Sequence, residues 1–206
     1  MTGDRFRILF VCSGNICRSP FAELVTRHLL ARRLPQQDVG RFSVGSAGIN
    51  AVVGADMDSF TRNELTRCGL HRAARTRHVA RQLDRVTVAT ADLVLTAERA
   101  HRAFVVATHP AALRTTFCLL EFPRLLASAN LNPLEHDPVQ RARTAVAAAA
   151  MERGMVPSVS LEDDAVPDPM GMPEPARQHS YALIGSAMCS ALGALLGEWQ
   201  PTSFTN

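Results

Sequence analysis

Cys12 and Arg18 bracket Ser13-Gly14-Asn15-Ile16-Cys17, and this string follows directly on the apolar run Ile8-Leu9-Phe10-Val11. A short β-rich apolar run reads as a buried strand. Ser19-Pro20, followed by Phe21, Leu24, Val25, His28 and Leu29, reads as a helix start with proline at its first position. Cys12 to Ser19 is therefore expected to be a strand-to-helix loop. Such a loop aims successive backbone N–H groups at one point, and the positive end of the following helix adds to their field, so it holds an anion. Arg18 can add a planar, two-pronged hydrogen bond to a bound oxyanion, and Cys12, at the base of the same field, is expected as a thiolate near neutral pH. One turn thus combines a nucleophile with a phosphoryl cradle.

Taken alone, the Cys-x5-Arg spacing is weak, because a cysteine at a strand end is usually a small buried apolar residue. The complete string, with Gly14, Asn15 and Ser19-Pro20 in place, is far more specific. It resembles the signature loop of the low-molecular-weight protein tyrosine phosphatases. Far downstream, Val166-Pro167-Asp168-Pro169 resembles that family's Asp-Pro general-acid loop, and Ser46-Ala47-Gly48 resembles the turn beside its active site. The likeness runs from about Phe6 to Leu119 and resumes from about Val166 to Leu195.

The resemblance implies hydrolysis of phosphotyrosine through a phosphocysteine, with no metal and no cofactor. That reaction needs an in-line nucleophile, stabilisation of three equatorial oxygens and a proton for the leaving oxygen. Cys12 would attack phosphorus, while the amides of Ser13 to Arg18 and the Arg18 guanidinium hold the oxygens. Asp168 would protonate the phenolate and then take a proton from the attacking water. Without Cys12, Asp168-Pro169 would read as an ordinary turn. Ser19 has two competing uses, capping the helix or hydrogen-bonding Cys12 as its family counterpart does. Asn15 is expected to brace the loop through its side-chain amide and to tolerate a left-handed backbone. Cys17 is either a buried filler or a redox partner that captures oxidised Cys12 as a disulfide. Asp92 matches a family acid near the third strand only loosely, and a cap or turn role serves as well.

Departures from the family pattern concern the substrate more than the reaction. Met170-Gly171-Met172 follows the Asp-Pro pair where aromatic residues are usual, and Ile49 follows Ser-Ala-Gly where an aromatic is often found. Ile16, Ile49 and Met170 are left to line an apolar slot, methionine packing adaptably against rings. Phosphotyrosine stays the expected substrate, with weakened selectivity. Related protein arginine phosphatases typically carry Thr at the position of Ile16, which argues against phosphoarginine. Family analogy suggests a phosphotyrosine-bearing protein such as a bacterial tyrosine kinase as partner. Two other functions compete. Thiol-coupled arsenate reduction needs a relay of further cysteines, and Cys68 and Cys118 are not closely paired in sequence. A non-catalytic phosphate-binding protein is disfavoured by the intact Cys12, Arg18 and Asp168.

Composition bounds the rest. With 206 residues, 47% apolar and 20% charged, the chain is an ordinary globule rather than a disordered one. The net charge of +3 is mild, and all 22 basic residues are arginine. Arg72, Arg75, Arg77, Arg81 and Arg85, with His71 and His78, face only Asp84 over that span; such a run is usually a solvated face, although it would also attract an acidic phosphopeptide. No aromatics interleave with these arginines, so nucleic acid is not an expected partner. The five cysteines show neither a secretory framework nor a Cys-x2-Cys metal spacing, and the apolar run before Gly14 is too short for a signal-peptide core. A cytoplasmic monomer or weak dimer is expected. Ser180 to Gly197 is uncharged over 18 residues and is read as a buried C-terminal helix rather than a membrane span.

These side chains need a scaffold. Residues 41–48, 92–96 and 116–119 read as further strands, with helical spacing at 56–68 closed by Gly69, a short helix at 79–83 and another helix at 98–106. The alternation predicts an α/β three-layer sandwich with a central four-stranded parallel sheet and the phosphatase loop after the first strand. Residues 120–165 are read as an insertion in a single domain spanning 1–206. They hold the apolar stretch Phe122 to Leu126, turns at Asn132-Pro133 and His136-Asp137-Pro138, and an Ala-rich helix from Val139 to Met151. The segment is too small to bury its own core, and a lid, a docking surface or a structural elaboration fit it equally.

Overall fold

The computed structural model describes residues 5–131, 135–157 and 159–196. Strand β1 (Phe6–Cys12) alternates between two cores, with Phe6, Ile8, Phe10 and Cys12 on one face and Leu9 and Val11 on the other. A strand buried on both faces must be apolar throughout, and this is why the run carries no polar alternation after Arg7. Beside it lie β2 (Phe42–Gly48) and β3 (Leu93–Thr96), and β4 (Thr116–Cys118) closes the order β2-β1-β3-β4, all parallel. The register pairs Cys12 with Gly48 and Val11 with both Ala47 and Thr96, so three strands end along one edge. The loops that follow them share that edge, where ligands of parallel sheets bind.

Helices cover both faces. The larger core packs α1 (Arg18–Arg33), α3 (Ser59–Arg67) and α4 (His71–Ala74) with α7 (Glu121–Ser128), α8 (Pro138–Glu152) and α9 (Glu174–Leu196), while the short α2 (Gln36–Val39) lies outside it. The smaller core sits under α5 (Arg85–Ala89), α6 (Arg99–Thr108) and a 3₁₀ turn at Pro110–Arg114. Helix α8 contributes Val139, Ala142, Ala145, Val146 and Ala149, a helical stripe, to the same core as the sheet. Helix α8 therefore packs on the interior that it shares with the sheet. The Asn132-Pro133 turn and Gly197 lie outside the described residues. Helix α9 is long and apolar enough to cross a membrane, yet 61% of its most apolar window is buried, and it packs on α1, α7 and α8.

Three local expectations are corrected. Helix α1 begins at Arg18, so Pro20 is its third residue, and Ser19 lies inside the helix without capping it. Residues 79–83 are not helical. Their backbone is drawn into sheet-like bonding with the β2 end, Gly48 N donating to Arg81 O and Leu83 N to Gly48 O. The helix falls instead at α5, where the Asp84 side chain accepts from Thr87 N as a cap. Asp92 lies at the start of β3, the end away from the loop, where Oδ2 accepts from Arg7 N and Oδ1 stands 3.4 Å from Arg143 Nε.

Candidate active site

The loop between β1 and α1 is held by a directional chain of buried hydrogen bonds. Asn15 has φ 56°, a left-handed backbone that asparagine tolerates better than most residues. Its Nδ2 donates to Ser19 Oγ and to Ser46 Oγ, both at 2.9 Å, and Ser46 Oγ donates on to Glu23 Oε2 at 2.6 Å. Arg27 pairs with the other Glu23 oxygen at 2.6 Å. Because Ser19 Oγ accepts from Asn15, its own proton is available to Cys12 Sγ, 2.9 Å away. Ser19 thus serves the cysteine, and the brace expected of Asn15 is present.

Two further groups fix the Asn15 backbone and amide. The Asn15 carbonyl can only accept, so His78 Nε2 donates to it at 2.7 Å, and Arg81 N donates to Asn15 Oδ1 at 3.0 Å. The Arg81 guanidinium turns inward, its Nε donating to Ser46 O at 2.6 Å. Part of the basic run at 72–85 is therefore a brace under the loop rather than a solvated face. Gly48 stands so close to the loop that a β-carbon there would collide with Ser13 O. Glycine is required by the approach of two backbones, not by its dihedral angles.

Asp168 arrives from the other end of the chain. Its Oδ2 lies 2.5 Å from Arg18 Nη2, while Arg18 Nη1 donates to Val166 O at 3.2 Å. The segment before it is clamped: buried Asp164 accepts from Arg99 at 2.5 Å and from Arg124 at 2.9 Å, and Val166 N donates to Ala97 O after β3. Asp168 itself is half exposed, its Oδ1 accepting from Met170 N in a turn. Cys12, Arg18 and Ser19 are buried, so the acid is the solvent-facing member of the group.

Ile16 is part of the loop, and Met170 Sδ sits 3.4 Å from Cys17 Sγ with its side chain half exposed. Partly buried Ile49 packs on the smaller core, and exposed Val52 stands next to Gly14. Cys17 is buried with its pKa pushed up to about 12, burial being the main cause, with the nearby Asp58, Cys12 and Asp168 also raising it. Sequence reasoning passed over Val52, Glu23, Asp164 and a buried histidine, His101, whose Nε2 is 2.9 Å from Ser13 Oγ, and it read His78 only as part of a basic run. None of the four carried a local signal.

Residues 7–131 match the low molecular weight phosphotyrosine protein phosphatase family, and the chain belongs to that family of cysteine-dependent hydrolases. The matched span takes in α7 and with it the Phe122 to Leu126 stretch. The chain is 34% identical over 112 residues to the low molecular weight protein-tyrosine-phosphatase Ptp of Acinetobacter johnsonii, covering 54% of this chain and 70% of the relative. It is 32% identical over 117 residues to a protein-arginine-phosphatase of Geobacillus stearothermophilus, covering 57% and 71%. The crystal structure of YfkJ from Bacillus subtilis superposes with a TM-score of 0.65 at 22% identity, over 95% of this chain and 98% of that one, a likeness of fold.

Proposed function

We propose that this protein hydrolyses phosphotyrosine on proteins, with Cys12 as nucleophile, Arg18 as phosphoryl clamp and Asp168 as general acid and then base. The observation that carries the reading is the meeting of Cys12, Ser19, Arg18 and Asp168 from separate stretches of chain at the sheet edge. Cys12 Sγ attacks phosphorus as the phenolate leaves, and the leaving oxygen takes the Asp168 proton. Water then attacks the phosphorus of the phosphocysteine, giving a proton to Asp168; the S–P bond breaks, releasing inorganic phosphate and restoring the Cys12 thiolate. The incoming oxyanion competes with Asp168 for the Arg18 guanidinium and so frees the acid to face the leaving group. Ser19 stabilises the sulfur as it departs in the second step.

Val52 beside Gly14, Ile16 within the loop and Met170 beside Cys17 are the apolar groups that would meet an aryl ring, by contact rather than by stacking. Isoleucine at 16 supports an aromatic ester over phosphoarginine. Cys118 is buried in β4 and Cys68 packs beside Glu64, elements apart from the loop, so a thiol relay for arsenate finds no support. We read the chain as one domain in which the segment after residue 131 and before the Asp168 loop is an elaboration carrying α8. The test is hydrolysis, in the presence of a chelator, of a phosphotyrosine peptide against phosphoserine and phosphoarginine peptides, with arsenate reduction as a control. Phosphotyrosine turnover well above the others is expected; preference for phosphoarginine would overturn the substrate assignment.

A further inference from the structure

His101 opens the first turn of α6 and is 1% exposed. Its Nε2 is 2.9 Å from Ser13 Oγ, whereas its Nδ1 is buried without a hydrogen-bond partner. Buried polar nitrogens are normally satisfied, so a ring that leaves one unpaired is set by what the other one does. Ser13 Oγ also lies 3.5 Å from Arg18 Nη2. Arginine only donates, so Ser13 accepts from Arg18 there and keeps its own proton free to give to His101. When Ser13 donates along this bond, Nε2 is the acceptor and the neutral ring carries its proton on Nδ1.

We propose that His101 is a positioning residue for phosphoryl binding: its neutral imidazole accepts from Ser13 and so fixes the hydroxyl that steadies Arg18 over the Cys12 loop. The inference rests on the reading of that loop as the phosphoryl site. Four groups face the ring: Ser13 from the loop, Arg18 from α1, Asp168 from the acid loop and Glu98, whose Oε1 is 3.5 Å from Nε2 at the start of α6. Burial lowers the His101 pKa below its ordinary value, Arg18 lowers it further, and Glu98 and Asp168 oppose them. Protonation would turn Nε2 from acceptor into donor, force the Ser13 proton away and set a second cation beside Arg18. The positioning is therefore intact above the usual histidine range and is lost as pH falls through the lowered pKa.

The experiment measures the inhibition constant of inorganic phosphate and the kinetics of p-nitrophenyl phosphate from pH 4.5 to 8, with melting temperatures recorded as a check on folding. His101→Ala should raise the phosphate constant and KM roughly three- to tenfold, the range of one lost hydrogen bond, with kcat changed less. His101→Gln, whose amide reaches the Nε2 position without titrating, should restore the constant at neutral pH. Its ratio to wild type should improve as pH falls. His101→Ala should add nothing in a Ser13→Ala background. Multiplying effects in the double variant, a wild-type constant in His101→Ala, or a His101→Gln ratio that does not move with pH would each overturn the proposal. Should His101→Ala fail to fold, the Gln ratio and Ser13→Ala decide it. Loss of the underlying reading has a separate signature: wild type that does not bind phosphate, or Cys12→Ser that turns over normally.

Discussion

The two halves of the site are held in opposite ways. The Cys12 to Arg18 loop is buried and cross-braced by Asn15, Ser19, Ser46, Glu23, His78 and Arg81, every one of them within the first 81 residues. The Asp168 loop is exposed and tied down at few points, the Asp164 clamp, the Val166 backbone and Arg18 itself. A group that must sit still to accept a trigonal phosphoryl benefits from preorganised donors, which need no rearrangement at the moment of reaction. A group that delivers a proton to varied leaving oxygens and then to water needs room to shift. The proposed nucleophile is buried and braced, the proposed acid exposed and more lightly held.

The largest expected effect removes the nucleophile from the rigid half. Cys12→Ser should cost roughly 10⁶ in kcat, the scale seen when a covalent nucleophile is lost, while vanadate affinity stays within a few-fold because the cradle is mostly backbone plus Arg18. Near-normal turnover would refute the assignment. Asp168→Asn tests the mobile half: esters with poor leaving groups should slow by about 10²–10⁴, and esters of very acidic phenols far less. Equal losses across leaving groups would make Asp168 a turn residue only.

Cys17 tests the rigid half by oxidation. Its sulfur is a buried thiol with pKa near 12, partly because Cys12 lies close by. Once peroxide converts Cys12 to a neutral sulfenic acid that influence falls, and Cys17 can close a disulfide with loss of water. Dithiothreitol should rescue wild type after a peroxide pulse and fail to rescue Cys17→Ser; equal recovery, or no Cys12–Cys17 linkage by mass spectrometry, would discard the idea. The same raised pKa makes a stability prediction. The fold keeps this contribution below the ordinary thiol range near 9.0 and loses it as pH climbs toward 12, so Cys17→Ala should flatten the alkaline loss of Tm.

Asp164→Ala unties the acid loop without touching the phosphoryl cradle. It should destabilise by about 1–3 kcal/mol, less than a fully buried pair because Arg99 and Arg124 each stay about a third exposed. Turnover of poor-leaving-group esters should fall while phosphate inhibition is unchanged; loss of both in step would show that the halves are not independent. The smallest effect is at the mouth. Met170→Tyr should lower KM for aryl phosphates by the worth of one ring contact, about 0.5–1.5 kcal/mol, and unchanged kinetics in a folded variant would place residue 170 outside the pocket.

Local pattern in the chain specifies the sheet, the loop and the candidate reacting groups. Apolar period and run length mark β1 to β4, and the Cys12 to Pro20 string is contiguous, so its chemistry is legible wherever the chain goes. Boundaries slipped where tertiary bonding outbid local pattern. Residues 79–83 have a helical look, yet Gly48 and Gly54 claim their backbone groups, and Ser19 looks like a cap, yet Cys12 and Asn15 claim its hydroxyl. The supporting residues were decided by the fold alone. His78 and Asn15, Asp164 and Arg99, His101 and Ser13 are separated by 63, 65 and 88 positions. No periodicity spans such gaps, because a hydrogen bond between distant residues exists only after the strands align in register and bring their loops to one edge.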